Sequence, residues 1–498
     1  MPEYSAIALA CSTALGMHPV LLQTSDASES ARIQQVMERY ADAGRFSGAV
    51  AVARRGETIH LGAHGLANRE LGVLCTPQTR FQIGSITKTI TATMALHLVD
   101  RGELALDSTL AELMPDVAFP KADEITLERL LTHTSGLQRD IADYPPGTHR
   151  FPDRVAKING DFFSLDELVQ FIAARPLSHP PGERYSYSSD GYTVLGSIVA
   201  RTCGSTYADA LHREFFAPLG MADSGYVPQT TVLPGRASGY VLGFGGHENA
   251  RPLAVSPAGG IFSTVGDLLQ FDRALQGDDL ISPEAKERAW SRSEFITAYG
   301  WKVRADVASP QPDALLVQAS GSVPGFFSLF TRTLSDQLCV VLLANVQGPT
   351  FHLDSITADL LALLRGGRDL AAPKRSAAFD LADRLASEGT TRAMATFREW
   401  RSSDFAEHYV DEHELNLLGY HWLSTDAVRA AAVLNLAVEC FPRSANAHDS
   451  LGEAMERSGD LDAALASHRR AVALARTYGH PDLGSFQERL SAVERKLK

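Results

Sequence analysis

The chain has 498 residues, 45% of them hydrophobic and 21% charged, and a formal net charge of −13. That length exceeds one typical core, so two or three domains are expected, with the composition of an ordinary globular protein. The acidic balance, without basic clusters or aromatic-basic interleaving, excludes nucleic acid and anionic membrane surfaces as partners, and no 18-residue apolar run offers a membrane span.

Ala6 to Met17 is modestly apolar, but no Lys or Arg precedes it and Glu3 has the wrong sign for an export leader. Residues 1–27 therefore read as a loose tail or a degenerate signal, which leaves the compartment open. The five cysteines (Cys11, Cys75, Cys203, Cys339, Cys440) are far apart and have no Cys-x-x-Cys spacing, so neither a disulfide framework nor a zinc site is indicated. No other metal-ligand spacing occurs, and no cofactor is expected.

From Ser30 to Ala43, Ile33, Val36, Met37 and Tyr40 recur at helical spacing. Gly48 to Ala53 and Glu57 to Gly62, joined by Arg55-Gly56, predict a β-hairpin. Next comes Phe81-Gln82-Ile83-Gly84-Ser85-Ile86-Thr87-Lys88, in which Ser85 and Lys88 share one face of a helix starting after Gly84. That helix is expected to continue from Thr89 to Val99 with Ile90, Met94, Leu98 and Val99 on one side. A serine hydroxyl becomes a nucleophile only beside a base, and a lysine serves only where its charge is disfavoured. At a helix start the backbone N–H groups also favour developing negative charge. Read alone, Ser-x-x-Lys fits an N-capping serine with a solvated lysine better than a nucleophile.

Ile125 to Leu137 is expected to begin as a helix and stop at Gly136. His133 within it reads either as a catalytic group or as a histidine held by hydrogen bonds at a helix end. Gln138 to Pro181 is a Pro-, Asp- and Phe-containing insert with one helix, Leu165 to Ala174, of the kind that forms a lid or substrate wall. Tyr185 to Tyr192 leads into an apolar helix, Val194 to Ala200. Thr264 and Asp267 have capping-box-like spacing ahead of another helix. Ala314–Ala319, Gly325–Arg332 and Gln337–Asn345 predict three strands closing an antiparallel sheet.

Arg365 to Arg375 is the best linker candidate. Beyond it Ala and Leu dominate and β-like runs vanish. Leu418-Gly419, Ala431, Asn435 and Val438 recur as Leu451-Gly452, Ala464, His468 and Ala471, 33 positions on. From Leu415 to Leu474 this resembles the tetratricopeptide repeat, whose period is about 34. Such helix pairs either leave a groove for a protein partner or pack against the neighbouring domain. The divisions are thus 1–27, 28–365 (catalytic), 366–376 (linker) and 377–498 (α-helical).

Three motifs in family order carry a resemblance for residues 28–365. They are Phe81-Gln82-Ile83-Gly84-Ser85-Ile86-Thr87-Lys88, Leu130-Leu131-Thr132-His133-Thr134-Ser135-Gly136-Leu137 and Tyr187-Ser188-Ser189-Asp190-Gly191-Tyr192. With Pro218-Leu219-Gly220-Met221, Ala258-Gly259-Gly260 and Pro324-Gly325-Phe326, they resemble the class C β-lactamase and penicillin-binding-protein type of serine hydrolase, including family VIII esterases and D-aminopeptidases. The resemblance implies an α/β fold, an antiparallel sheet flanked by helices plus an all-helical cluster. It also implies an acyl-enzyme on Ser85, proton transfer by Lys88 and Tyr187, and an oxyanion hole from the backbone N–H groups of Ser85 and Ser322. A tyrosine hydrogen-bonded to a lysine is expected to shuttle protons near neutrality.

Two positions depart from the family's pattern. Ser189 stands where the second motif has Asn, and the third motif is Ala319-Ser320-Gly321 in place of Lys-Thr-Gly or His-x-Gly. Ser189, Ser320, Gly321 and Ser322 are the expected substrate-binding and oxyanion residues. Without charge or hydrogen bonding at Ala319, a substrate carboxylate loses a partner unless Arg139, Arg150, Arg154 or Lys157 of the insert replaces it. The expected activity is therefore hydrolysis of an ester or amide of a small molecule or peptide (or transfer to another acceptor), weak on β-lactams. The alternatives are a class C-type β-lactamase or D-amino-acid peptidase, or a catalytically weak binding module working through its helical repeats.

Overall fold

The computed structural model describes residues 23–140, 164–228, 231–250, 255–291, 297–350, 352–367 and 372–498. The apolar N-terminal run and most of the insert, including Arg150, Arg154 and Lys157, lie outside the described residues.

A six-stranded sheet organises the first three quarters of the chain. In chain order its strands are β1 (Gly48–Arg54), β2 (Glu57–His64), β3 (Lys302–Ala305), β4 (Leu315–Val323), β5 (Phe326–Thr333) and β6 (Leu338–Ala344). Their spatial order is β3-β4-β5-β6-β1-β2, with every pairing antiparallel. β6 is buried along its whole length because both faces are covered. Val50, Val52, Val340 and Leu342 enter one core, against helices α1 (Gln23–Asp42) and α5 (Leu353–Leu364). The alternate residues Ala49, Ala51, Val341 and Leu343 enter the larger core, on the side of α2 (Ile86–Asp100), α3 (Ser189–Thr202) and α4 (Val265–Gln276). The period of two along each strand thus divides two cores rather than core from solvent.

Several expected elements are displaced. The first helix starts at Gln23, inside the stretch read as tail. The Leu127–Leu131 helix ends well before Gly136, and the chain passes His133 with φ at 58°. α3 begins at Ser189, so Ser189 to Tyr192 form its first turn rather than a loop before it. Thr264 caps α4 through the Asp267 N–H, but the Asp267 carboxylate turns away to accept from Asp223 N–H and the Ser224 hydroxyl. That leaves half of a capping box.

From Ala377 the chain is helical: α6 (Ala377–Ser387), α7 (Thr390–Ser402), α8 (Glu412–Leu423), α9 (Ala427–Cys440), α10 (Ala445–Ser458), α11 (Leu461–Tyr478) and α12 (Leu483–Lys496). Arg375–Ser376, at the end of the stretch read as linker, pairs in parallel with His408–Tyr409 and so belongs to this region. Arg365, at the stretch's start, is held by ion pairs to Asp306 and Asp336. Phe244 stacks on Phe379 at 4.6 Å and Arg45 lies over the Tyr409 ring at 5.1 Å, so the helical region rests on the sheet-bearing part.

Candidate active site

α2 is the buried axis of this site. All of its first eleven residues are buried, and Thr87, Thr89 and Thr91 among them each bond a neighbouring segment. Thr87 Oγ1 accepts from Ile261 N–H (3.1 Å), Thr89 donates to Gly300 O (3.0 Å) and Thr91 donates to Pro257 O (2.8 Å). The helix is therefore covered on all sides, not the one side that its apolar spacing suggests. A short hydroxyl satisfies a loop's backbone in a water-poor setting at little steric cost.

Ser85 stands at the N-terminus of α2 and caps nothing with its side chain. Its Oγ receives Lys88 Nζ at 3.3 Å and the Tyr187 hydroxyl at 3.0 Å. Lys88 is 2% exposed, and its ammonium has three acceptors: Ser85 Oγ, Ser189 Oγ (3.3 Å) and Ala258 O (2.7 Å). No carboxylate pairs with it among the described residues. The faces of Tyr187 and Tyr192, with centroids 4.9 and 5.9 Å from Nζ, supply the remaining electrostatic support. The expected direct bond between Tyr187 and Lys88 is not made, because all three ammonium protons point elsewhere. Ser85 Oγ is the atom at which the two side chains meet.

The Tyr187 segment is tied down from behind. Ser188 caps α3, accepting from Gly191 N–H (2.9 Å) and donating to Gln138 O (2.6 Å). His133 Nδ1 accepts from Ser188 N–H at 3.1 Å, and His133 O accepts from Ser186 N–H at 2.9 Å. Burial, reinforced by the Lys88 charge, holds this imidazole neutral, its pKa lowered to about 3. His133 therefore backs the tyrosine and does not reach Ser85.

β4 closes the other side. An added Cβ on Gly321 would fall 1.9 Å from Ile83 O, and one on Gly84 (φ 52°) would fall 2.8 Å from Ser322 N. Only glycine at both positions lets strand and nucleophile loop touch. Ser328 locks the contact by donating to Ile83 O at 2.8 Å. The backbone N–H groups of Ser85 and Ser322 consequently flank Gly84, and that of Ser85 has no acceptor among the described residues. Ala319 is buried and faces the larger core. Ser320 is on the opposite face, where Lys302 Nζ donates to its hydroxyl at 3.3 Å. A cation thus reaches the third motif from β3. Lys302 lacks any sequence signal of its own, because only strand register brings it there.

Fold and site together define the class. A family model described as Beta-lactamase matches residues 31–364, and the chain belongs to that family. Among its relatives, Esterase EstB of Burkholderia gladioli is 39% identical over 233 residues, 45% of this chain and 58% of its own length. Penicillin-binding protein 4 of Amycolatopsis lactamdurans is 32% identical over 235 residues, again 45% of this chain and 58% of its own. The chain therefore spans less than two thirds of either relative. The solved D-amino acid amidase of Ochrobactrum anthropi SV3 is 22% identical, with a TM-score of 0.58 over 68% of this chain and 100% of its own, a likeness of fold.

Proposed function

We propose that this protein hydrolyses an ester or amide through an acyl-enzyme on Ser85. The observation that carries the reading is the convergence of Lys88 Nζ and the Tyr187 hydroxyl on Ser85 Oγ. Ser85 Oγ attacks the acyl carbon while its proton passes to the Tyr187 oxygen, which acts in its phenolate form, and the buried Lys88 ammonium stabilises that negative charge. The tetrahedral oxyanion falls between the Ser85 and Ser322 N–H groups. Tyr187 returns the proton to the leaving oxygen or nitrogen, and then takes one from the water that cleaves the acyl-enzyme. The similarity to Esterase EstB supports an ester substrate. Ser189, a single hydroxyl already held by Lys88, has little left to offer a β-lactam side chain, so slow β-lactam turnover belongs to the same reading.

The helical region belongs to this proposal as a tetratricopeptide-like unit from about Leu415 to Leu474. The two corresponding glycines of α8 and α10 support it: a Cβ on Gly419 would meet Leu434 at 2.4 Å, and one on Gly452 would meet His468 at 2.7 Å. Both let paired helices approach closely, and packing onto the hydrolase at Phe244 is its best-supported role.

A fluorophosphonate should modify the Ser85 peptide, and Ser85→Ala should abolish p-nitrophenyl butyrate hydrolysis. Tyr187→Phe and Lys88→Ala should each lower kcat at least about a hundredfold, with the double variant little worse than the poorer single, as residues sharing one step behave. Nitrocefin on the same preparation should turn over orders of magnitude more slowly than the ester. An adduct elsewhere with Ser85→Ala fully active, or efficient nitrocefin turnover without ester hydrolysis, would overturn this function.

A further inference from the structure

We infer that Arg175 is a positioning residue of this hydrolase: its buried ion pair with Asp190 holds the α3 turn that carries Ser189 and keeps the Lys88 charge directed at Ser85 and Tyr187. The inference rests on the hydrolase reading above. Arg175 follows the helix Leu165–Ala173 of the insert, and its guanidinium meets the Asp190 carboxylate at 2.6 Å. Arg175 is 7% exposed and Asp190 3%. A buried ion pair gains little stability over an apolar pair of similar volume, so its place in the fold is the more telling fact.

That place is the first turn of α3. Ser189 Oγ accepts from the Lys88 ammonium at 3.3 Å, and Asp190 is the next residue. The chain beyond the His133 loop holds the same turn: Gln138 O accepts from the Ser188 hydroxyl (2.6 Å), and Arg139 O accepts from Ser189 N–H (2.6 Å). Arg175 completes the set, reaching Asp140 O at 3.5 Å as well as Asp190. Its guanidinium thus bridges the Gln138–Asp140 segment and α3, one residue from the hydroxyl that holds Lys88.

The charges tie this pairing to the reaction. The titratable groups around Lys88 are Tyr187, Tyr192 and the neutral His133, with Tyr185 and Tyr299 behind them. β4 and the Ala258–Gly260 segment have no titratable residue, and Asp190 is the one carboxylate in the turn that binds Lys88. In a water-poor setting an unpaired carboxylate there would draw on the Lys88 charge and oppose a phenolate on Tyr187. Paired with Arg175 it adds no net charge, and the Lys88 ammonium remains for Tyr187 and the developing oxyanion.

Arg175→Gln and Asp190→Asn test this, since each keeps a hydrogen bond across the pair and removes one charge, of opposite sign. Both should lower the plateau kcat for p-nitrophenyl butyrate about tenfold with KM little changed, because the Ser189 turn loosens. The acid limb of the kcat profile should move up by about one pH unit in Arg175→Gln, where a free carboxylate disfavours the phenolate. It should move down by about as much in Asp190→Asn, where the guanidinium is left uncompensated. A merely structural clamp is broken alike by both changes and gives no opposite shifts. Arg175→Lys, which keeps the charge, should keep the limb of the natural protein. Anything short of opposite shifts in the two neutral variants, or a lysine variant that shifts as glutamine does, overturns the inference. Asp190→Asn decides alone where Arg175→Gln does not fold, since a structural clamp gives no downward shift. The difference in tyrosinate absorbance between each protein and its Tyr187→Phe version follows the same titration without turnover. Opposite shifts there sustain the inference even where no ester is hydrolysed, and coincident titrations overturn it.

Discussion

His133 fixes the charge balance of the site from behind. It is 1% exposed, its ring lies 4.6 Å from Tyr187 and 5.0 Å from Tyr192, and its Nδ1 accepts from Ser188. A second positive charge here would sit among aromatic rings beside Lys88, with no carboxylate to meet it among the described residues. Burial lowers its pKa from 6.5 to about 3 in the folded chain. Between those values the unfolded chain binds a proton that the folded chain refuses, so stability falls as pH falls below 6.5. Urea unfolding of the natural protein should therefore lose about 2 kcal/mol more between pH 7 and pH 5 than His133→Gln loses. His60 and His64, also lowered by burial, are present in both proteins and cancel. Parallel pH dependences would remove the buried neutral imidazole from the account. At this scale Ser85, Lys88 and Tyr187 could be picked out of the chain because each sits in a patterned motif. Lys302 could not, since a single lysine after a tryptophan has no pattern until register sets it opposite Gln318.

Among the elements, the contact between the Gly84 loop and β4 determines whether an oxyanion site exists at all. Gly84→Ala would put a Cβ 2.8 Å from Ser322 N at a φ of 52°, so the strand edge must move away from Ser85. The backbone strain costs about 1 kcal/mol. Displacing one oxyanion donor costs about 10²–10³ in kcat. Activity should thus fall at least about a hundredfold while circular dichroism and the melting temperature change little, and a kcat within a few-fold of the natural protein would refute the arrangement. The strands β5 and β6 were legible as apolar runs because both their faces are buried. The all-round burial of α2 was not, because its threonines satisfy loops that are remote in sequence. The turn that carries Tyr187 likewise read as a loop, although Ser188 is an N-cap by residue type.

Across the whole molecule, two sets of cores meet at a small seam. Residues from Ala377 onward build their own apolar clusters around Leu381, Phe397, Leu418 and Leu436, with Phe244 of the sheet-bearing part packed against them. Phe244 projects from the turn between strands Tyr240–Gly243 and Gly246–Asn249, and it meets Phe379 at 4.6 Å and His421 at 6.0 Å. Arg45 adds its contact with Tyr409. The change of composition beyond Arg375 revealed the helical region, but nothing in the Gly-Phe-Gly-Gly stretch marked Phe244 as its anchor, since an aromatic in a turn has no period. Removing a half-buried phenyl ring costs about 2–3 kcal/mol, somewhat below the range for a fully buried one. All of that loss falls on the seam rather than on either core. Calorimetry of Phe244→Ala should therefore split or broaden the melting transition, with the helical region unfolding first. Hydrolysis of p-nitrophenyl butyrate should persist up to the later transition, because Phe244 touches none of the groups around Ser85. An unchanged melting profile would mean that the seam carries no stability, and activity lost with the first transition would mean that the helical region holds the site together.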